Sequence, residues 1–246
     1  MLVPRPEDVI HKGWLLRLLT AICDEPVLSL SLGFKGGTCA AMRGLIDRFS
    51  VDLDFDVMGD EPDMPGIKKA FQTIFDNLGL RIADRSVHVP QYFLKYPAAG
   101  ASRNSIKIDV LSPPPRANRY EAVSLIEIDR VVKCQTMDTL VANKMVAILD
   151  RHDRSKTIAG RDLFDLHSFL LKGLSWRSEI ILERRGTSEP QFLQELIAFI
   201  EKQVTQTTID QDINLYLAPD VFRTIRKTLK TELLSFLRDA LKRAAH

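Results

Sequence analysis

Residues Phe34–Val57 read F-K-G-G-T-C-A-A-M-R-G-L-I-D-R-F-S-V-D-L-D-F-D-V, and the second half of this stretch alternates between polar and apolar residues. The polar positions are Arg48, Ser50, Asp52, Asp54 and Asp56, and the apolar positions are Phe49, Val51, Leu53, Phe55 and Val57. Such alternation predicts a half-buried β-strand with one apolar and one acidic face. Aspartates at alternate strand positions lie ~7 Å apart and repel one another. A bound Mg²⁺, which prefers carboxylate oxygens, would offset that repulsion. An acidic, solvated edge strand is the alternative interpretation.

A short turn precedes this strand. Gly36 and Gly37 have no side chains and let a ligand approach the backbone closely. We predict that Thr38 caps a short helix over Cys39–Ile46, whose free N–H groups attract anions such as phosphate. Lys35 is either a further phosphate contact or a solvated loop lysine. A phosphate-binding turn followed by a strand with two carboxylates is what metal-assisted nucleotidyl transfer needs.

These residues resemble a known enzyme family. Gly37-Thr38, thirteen further residues and then Asp52-Leu-Asp54-Phe are similar to the signature of the DNA polymerase β-type nucleotidyltransferase superfamily. The fuller string K-G-G-T…R-F-S-V-D-L-D-F resembles a narrower branch, the AbiEii-like toxin nucleotidyltransferases of bacterial toxin–antitoxin systems. Thr38 stands where the superfamily often has serine, and the hydroxyl group is kept.

The resemblance covers roughly residues 34–170 and implies both a fold and an activity. The fold would be α/β, with a polymerase β-type nucleotidyltransferase lobe around a small mixed sheet and a helical C-terminal lobe. The enzyme would use two Mg²⁺ ions to transfer a nucleoside monophosphate from an NTP to tRNA or another RNA, and a cognate antitoxin would be its partner. Asp52 and Asp54 would hold the metal. The other predicted substrate contacts in this stretch are Lys35, Gly36, Gly37, Thr38 and Ser50.

The composition of the chain bears on its binding partners and on its cellular compartment. The 246 residues have a formal net charge of +2, so nucleic-acid binding would require a local basic patch. The three cysteines show no metal-binding or redox spacing, which is typical of proteins of the reducing cytoplasm. The apolar run Trp14–Cys23 is too short to span a membrane and predicts an amphipathic first helix that begins near Glu7. We therefore expect a cytoplasmic protein without a membrane segment.

The rest of the first lobe shows helix and strand patterns in turn. Apolar residues at helical spacing predict a helix over Gly66–Leu78. The alternating segments that follow predict four strands, Leu80–Val89, Gln91–Tyr96, Ser105–Leu111 and Glu121–Ile128. Asp109 lies on the polar face of the third of these strands, where the resemblance implies a third carboxylate that binds the metal. The pattern then becomes helical, which predicts two domains, 1–128 and 129–246.

The second lobe contains two charged motifs. A predicted helix over Asp138–Arg151 places Lys144 within its apolar stripe, with Arg151 on the same side. A lysine on a buried face needs an anionic partner, which is either the triphosphate or a carboxylate of the next helix. The motif R-D-x-x-D at 161–165 offers Asp162 and Asp165. The resemblance assigns functional roles to Lys144 and Asp162, and Asp162 either touches the substrate or orients the lysine. Ion pairs between helices are the alternative for the other two charged residues of the motif.

Two amphipathic helices, Pro190–Thr205 and Pro219–Ala245, complete the pattern. The second is rich in basic residues, which form either a solvated face or contacts to RNA phosphates. We expect the RNA contacts to include Arg223, Lys227 and Lys230, together with the loop that holds Arg116 and Arg119.

Three functions fit these residues. The first is a toxin enzyme that adds nucleotides to RNA, with the acceptor end of tRNA as the target. The second is an antibiotic-type nucleotidyltransferase that modifies a hydroxyl group of a small molecule. The third is a module that binds a nucleotide or a partner protein without turnover, and the intact pair of Asp52 and Asp54 argues against it.

Overall fold

The computed structural model describes residues 5–6, 8–86, 90–97 and 103–244. The helices within this part of the chain are α1 Asp8–Asp24, α2 Pro26–Ser31, α3 Gly36–Met42, α4 Met64–Asn77, α5 Met137–Ser155, α6 Gly160–Leu171, α7 Ser178–Arg185, α8 Glu189–Gln203, α9 Gln206–Ile213 and α10 Pro219–Ala244. The strands are β1 Leu32–Lys35, β2 Leu53–Val57, β3 Arg81–Arg85, β4 Gln91–Lys95, β5 Ser105–Leu111, β6 Tyr120–Leu125 and β7 Arg130–Gln135. The predicted α/β fold class is confirmed.

The first of two compact units contains the sheet. This unit comprises Met1–Gly44, Phe49–Pro114 and Tyr120–Gln135, taken over the residues described. The strands form one mixed sheet in the order β3-β4-β5-β2-β1-β7-β6. β2 pairs parallel with β5 and antiparallel with β1, while β1 pairs parallel with β7. The strand β2, which carries Asp54 and directly follows Asp52, therefore lies in the middle of the sheet.

Apolar side chains at alternate positions hold this unit together. Leu53 and Phe55 of β2 are buried, and the Phe55 ring lies 5.3 Å from the ring of Phe34 on β1. Helix α4 buries a stripe that includes Phe71 and Phe75. Burying one such side chain contributes about 1.5–3 kcal/mol, so this core fixes which face of β2 is left for polar residues.

The second strand is shorter than its alternating pattern predicts, because β2 begins only at Leu53. The carbonyl groups that would continue its ladder toward Arg48 have side-chain partners instead. The His11 ring bonds the carbonyl of Val51, and the Thr38 hydroxyl donates to the carbonyl of Asp52. Tertiary hydrogen bonds thus replace sheet pairing in the segment that presents Asp52.

The helix after β1 also differs from the prediction. Helix α3 begins at Gly36 rather than Cys39 and ends at Met42, and Lys35 takes the position before it. Thr38 is therefore not the capping residue. Thr38 is the third residue of α3, and its hydroxyl group contacts Ser50 and Asp52 in the segment that leads into β2.

Several other boundaries can be compared directly. The predicted strand Ser105–Leu111 is confirmed, and α4, α5, α8 and α10 lie within a few residues of their predicted bounds. The predicted strand over Glu121–Ile128 is β6 followed by a turn of 3₁₀-helix at Ile126–Ile128. Glu7 and Ala245, residues 87–89 and part of the loop before β5 lie outside the described residues.

The strand β7 was not predicted. It pairs with β6 and β1, so the sheet of the first unit continues past the predicted boundary at residue 128 as far as Gln135. In Arg130–Gln135, two adjacent valines and two adjacent buried residues near the end interrupt the period of two. This irregularity hides the strand from pattern analysis.

The second unit is helical and is assembled from three stretches of chain, Leu45–Arg48, Pro115–Arg119 and Thr136–His246, taken over the residues described. Its apolar core includes Val141 and Met145 of α5 and Leu163 and Leu166 of α6. Helix α6 also buries charged residues, which belong to the cluster described below. Among the helices described in either unit, none combines the length and the apolar character that a membrane span requires.

Candidate active site

Asp54 and Asp109 lie side by side at the centre of the sheet. They are register partners on the parallel strands β2 and β5. On the other side of β2, Lys35 is the register partner of Asp54, and Gly36 follows it at the start of α3. Strand neighbours are separated by about 4.8 Å, so side chains of paired residues share one face of the sheet. Two predicted metal-binding carboxylates thus lie on the adjacent strands β2 and β5, and the predicted phosphate-binding glycines lie at the start of α3, directly after β1.

The backbone of Gly36 lies against the carboxylate of Asp54. Gly36 has a φ of +76°, and a β-carbon added to it would lie 2.2 Å from Asp54 Oδ2. Both the backbone conformation and the lack of space require glycine here. The first glycine of the predicted turn therefore allows the carboxylate and the start of α3 to approach each other.

Asp52 lies just before β2 and is held through its backbone. The Thr38 hydroxyl donates to the Asp52 carbonyl and lies 2.9 Å from the hydroxyl of Ser50. Thr38 and Ser50 are both buried. Their hydroxyl groups are therefore not exposed for the substrate contact predicted for them, and they fix the segment that carries Asp52.

The third aspartate of the acidic face, Asp56, has a different environment from the other two. Its carboxylate is fully buried, and it accepts from Lys35 Nζ at 2.6 Å, Tyr120 Oη at 2.8 Å and Gln135 Nε2 at 2.6 Å. The Tyr120 ring passes so close to Gly33 that a β-carbon there would lie 2.4 Å from it. Lys35 is therefore not a solvated loop lysine, because it is the last residue of β1 and its ammonium group pairs with Asp56.

Asp109 has partners of its own. Its Oδ2 lies 2.5 Å from Lys107 Nζ and 3.2 Å from Gln91 Nε2. In the part of the chain that the structure describes, no group of three or more His, Cys, Asp and Glu side chains is placed to hold a metal ion. The predicted site of three carboxylates is thus not assembled in this arrangement. The paired positions of Asp54 and Asp109 still suit a hard cation such as Mg²⁺, provided that Asp109 exchanges its lysine for the ion.

The second unit brings Lys144, Arg151 and Asp162 together. Lys144 Nζ lies 2.7 Å from Asp162 Oδ1, and the Arg151 guanidinium lies 3.0 Å from Asp162 Oδ2. Burial disfavours the charged form of Asp162, but the two cations outweigh burial and hold the pKa of Asp162 well below its usual value. Burial likewise opposes the charge on Lys144, and the neighbouring carboxylates keep its pKa raised. This is the ion pair with the next helix that was the alternative for Lys144, and it favours Asp162 as the residue that orients the lysine.

A second buried carboxylate completes this cluster. Asp165 is fully buried, lies 3.0 Å from Lys144 Nζ and accepts two hydrogen bonds from the Arg48 guanidinium, at 2.5 and 2.7 Å. Arg161 donates to the hydroxyl of Tyr216 rather than to this carboxylate. Sequence patterns place Arg48 on the acidic strand, and nothing in them indicates its partner more than a hundred residues away.

The predicted RNA-binding residues are only partly available. Lys230 Nζ donates to the carbonyl groups of Glu201 and Val204 at the end of α8. The Arg119 guanidinium is folded onto the carbonyl groups of its own loop. Arg223 and Lys227 are exposed on α10, so they remain available for the predicted phosphate contacts.

Comparison with known proteins decides the family. The model of the family described as "Nucleotidyl transferase AbiEii toxin, Type IV TA system" matches residues 17–231. The chain belongs to the AbiEii nucleotidyltransferase toxin family. The resemblance deduced from the glycine turn and the aspartate pair is thereby confirmed, and nucleotidyl transfer is the activity of this AbiEii family member.

Two solved structures share the fold of this AbiEii protein. One is a provisionally assigned nucleotidyltransferase from H. pylori, which is 17% identical with a TM-score of 0.65, over 98% of this chain and 97% of that one. The other is JHP933 from Helicobacter pylori, which is 18% identical with a TM-score of 0.59, over 99% and 95% of the two chains. No curated protein sequence matches this chain.

Proposed function

We propose that this AbiEii protein is a Mg²⁺-dependent enzyme that transfers a nucleoside monophosphate from an NTP to a hydroxyl group of tRNA and releases pyrophosphate. The observation that supports this most directly is the pairing of Asp54 with Asp109 across two strands, beside Gly36, which has no room for a side chain. Family membership supports the reaction class.

The residues of the first unit divide the work of binding. Asp52 and Asp54 would hold the metal, which neutralises the developing charge on the transferred phosphoryl group when it is bound. Gly36 and Gly37, at the start of α3, would bind the phosphates through their backbone N–H groups. Asp109 would complete the site and accept the proton of the attacking hydroxyl group.

The charged cluster of the second unit supplies cations. Lys144 is the proposed contact to the triphosphate, Asp162 holds its ammonium group in place, and Arg151 is a further substrate contact. Lys144 Nζ contacts two carboxylates, and 15% of its side chain is accessible; on nucleotide binding, a phosphate oxygen would replace one of these carboxylates. Charge neutralisation of this kind stabilises phosphoryl transfer electrostatically.

The proposed biological role is that of the toxin in a toxin–antitoxin pair, with a cognate antitoxin as partner. Family membership supports that role. A small-molecule hydroxyl acceptor is the competing reading, and it makes a different prediction about salt. An RNA acceptor releases condensed counterions on binding, so its affinity falls steeply as salt rises, whereas a neutral small acceptor lacks that dependence.

The test is incorporation of label from each of the four NTPs into total tRNA. We expect label transfer with Mg²⁺, none with EDTA, and none for Asp54→Asn, which keeps the size and hydrogen-bonding reach of the side chain. Incubation with a panel of small hydroxyl compounds runs in parallel. Label in a small compound but never in tRNA would replace the toxin proposal with the antibiotic-type one. Unchanged transfer by Asp54→Asn would refute the proposed site.

A further inference from the structure

Helix α1 contributes a buried histidine to the segment that presents Asp52. The His11 side chain has no exposed surface and lies on the stripe that also buries Leu15 and Leu18. Its Nε2 lies 3.0 Å from the carbonyl oxygen of Val51, and its Nδ1 lies 2.9 Å from the hydroxyl of Tyr96. Both ring nitrogens are therefore used, one of them next to a predicted metal-binding residue.

Among the described residues, no strand pairs with the segment that carries the Val51 carbonyl. Residues 49–52 are not part of any strand, and β2 begins at Leu53. A buried carbonyl group without a partner costs about 1–3 kcal/mol, so the His11 bond has structural value in any case. Because Val51 directly precedes Asp52, the same bond also constrains the backbone of a predicted metal-binding residue.

Two side chains fix the two peptide planes on either side of the Asp52 α-carbon. The peptide unit is planar, so holding the Val51 carbonyl also sets the plane that contains the Asp52 nitrogen. The Thr38 hydroxyl holds the Asp52 carbonyl in the next plane. With both planes held, the backbone torsions of Asp52 are restrained, and so is the direction of the Cα–Cβ bond from which its carboxylate extends.

The ring itself is held in one orientation. A carbonyl oxygen only accepts, so Nε2 carries the proton, and the hydroxyl of Tyr96 faces Nδ1. The edge of the Phe49 ring meets the imidazole with 5.9 Å between the ring centroids. Burial lowers the pKa of His11 to about 4, which agrees with a neutral imidazole.

We propose that His11 is a positioning residue for nucleotidyl transfer, which acts by holding the Val51–Asp52 peptide so that the Asp52 carboxylate is directed at the metal and nucleotide. The inference rests on the proposed role of Asp52 in the site. His11 itself touches neither metal nor substrate, so its effect is transmitted through the backbone of its neighbour.

Three variants of the full-length protein separate positioning from packing. His11→Leu fills the buried position with an apolar side chain and removes the N–H donor to the Val51 carbonyl. His11→Gln restores an N–H donor at the same number of bonds from the backbone. Tyr96→Phe removes the hydroxyl group, which faces Nδ1 and also donates to the Arg103 carbonyl, and leaves the bond to Val51 in place. Thermal unfolding of each variant shows whether the protein is folded at the assay temperature.

We expect the substitutions to change kcat rather than KM, and to do so in His11→Leu but not in the other two variants. His11→Leu should lower kcat by ~10–100-fold, the range that supporting residues of metal sites show, with little change in the KM for NTP. His11→Gln should recover most of the lost kcat, and Tyr96→Phe should remain close to wild type. Mn²⁺ binding, followed by electron paramagnetic resonance without nucleotide transfer, should weaken ~10-fold in His11→Leu and recover in His11→Gln.

The inference is overturned if the Gln and Leu variants lose kcat equally, or if Mn²⁺ affinity is the same in His11→Leu and wild type. Failure of the proposed function looks different, because the wild-type protein would then transfer no label at all or Asp52→Asn would remain active. In that case the Mn²⁺ comparison alone decides: weaker binding in His11→Leu than in wild type and His11→Gln supports positioning, and equal binding refutes it.

Discussion

Gly36 has no space for a side chain because the carboxylate of Asp54 lies against its backbone. Its positive φ adds a second reason for glycine, since side chains with a β-carbon are strained in that region. Gly44, at the other end of α3, shares the positive φ of +70° but has open space around its α-carbon. The two glycines therefore separate the conformational requirement from the steric one.

Substitution by alanine should affect the two glycines differently. Gly36→Ala should push Asp54 aside and reduce nucleotide transfer by ~100-fold or more, the loss that misplacing a catalytic group by 1 Å produces. Gly44→Ala should cost only about 1 kcal/mol of stability from backbone strain, with transfer unchanged. Initial rates of label incorporation and urea unfolding of both variants provide the comparison. Equal activity of the two alanine variants would mean that Asp54 does not lie against Gly36 in solution.

Asp56 shows how a fully buried carboxylate differs from Asp54, which is half-buried on the same strand. Replacing it by asparagine removes the negative charge and leaves the Lys35 ammonium group without its 2.6 Å partner. Breaking a buried ion pair costs about 3–5 kcal/mol. We expect Asp56→Asn to lower the free energy of unfolding by about that amount. Tyr120→Phe, which removes one hydrogen bond to the same carboxylate, should cost about 1 kcal/mol. Similar losses for the two variants would argue against the Lys35 ion pair.

Helices α5 and α6 share a cluster in which one lysine lies between two carboxylates. Without Lys144, Asp162 keeps Arg151 and Asp165 keeps Arg48, so each carboxylate retains a cation. Stability and substrate binding should therefore depend on different members of this cluster.

We predict that substitutions of Asp165 and Lys144 affect different properties, the stability of the protein and the KM for NTP. Asp165→Asn should lower the free energy of unfolding by about 3 kcal/mol, because the buried Arg48 guanidinium loses its carboxylate. Lys144→Met should cost less stability but raise the KM for NTP strongly. The exposed Lys172 on the same unit offers a matched control, and Lys172→Met should change neither quantity. An unchanged KM in Lys144→Met would assign the lysine a purely structural role.

Helix α10 presents two lysines with different surroundings. Lys230 Nζ lies 2.7 Å from the carbonyl oxygen of Val204, where it caps the negative end of α8, whereas Lys227 is exposed. We expect Lys230→Met to cost about 1 kcal/mol of stability. Lys227→Met should leave stability unchanged, weaken tRNA binding and reduce the salt slope of that binding by about one. Filter binding of tRNA across a salt series, with thermal unfolding alongside, measures both. If neither lysine alters tRNA affinity, this face of α10 does not bind RNA.

The stability of the protein should depend on pH through His11. Its folded-state pKa of about 4 lies below the ordinary value of 6.5, because burial lowers it more than the Val51 hydrogen bond raises it. The unfolded chain therefore binds the proton first, and the contribution of neutral His11 is complete above pH 6.5 and is lost as the pH falls toward 4. The difference amounts to about 3 kcal/mol. Urea unfolding of wild type and His11→Leu between pH 4 and 7.5 should show stabilities that converge at low pH. Parallel curves would contradict a buried neutral histidine.

Sequence patterns predict the parts of this molecule that depend on neighbours in the chain. The strand that ends at Leu111 and the face of Asp109 follow from alternation, and the glycine turn follows from composition. The early end of pairing before Leu53 does not, because it depends on side chains 14 and 40 residues away in sequence, Thr38 and His11. His11 did leave a signal, since it continues the apolar stripe of the first helix, where a polar ring needs partners. Those partners could not be named without the fold.

Two stretches before residue 136 belong to the second unit, Leu45–Arg48 and Pro115–Arg119. Arg48 in the first stretch donates to Asp165, and the backbone N–H of Ala117 in the second stretch donates to Glu183. A gene segment that begins at residue 136 would therefore encode the helices without one of the cations of a buried carboxylate. Recombination with a single crossover cannot exchange the helical unit between relatives intact. Substitutions at position 48 must therefore be compatible with the residue at 165, because the two side chains form a buried ion pair.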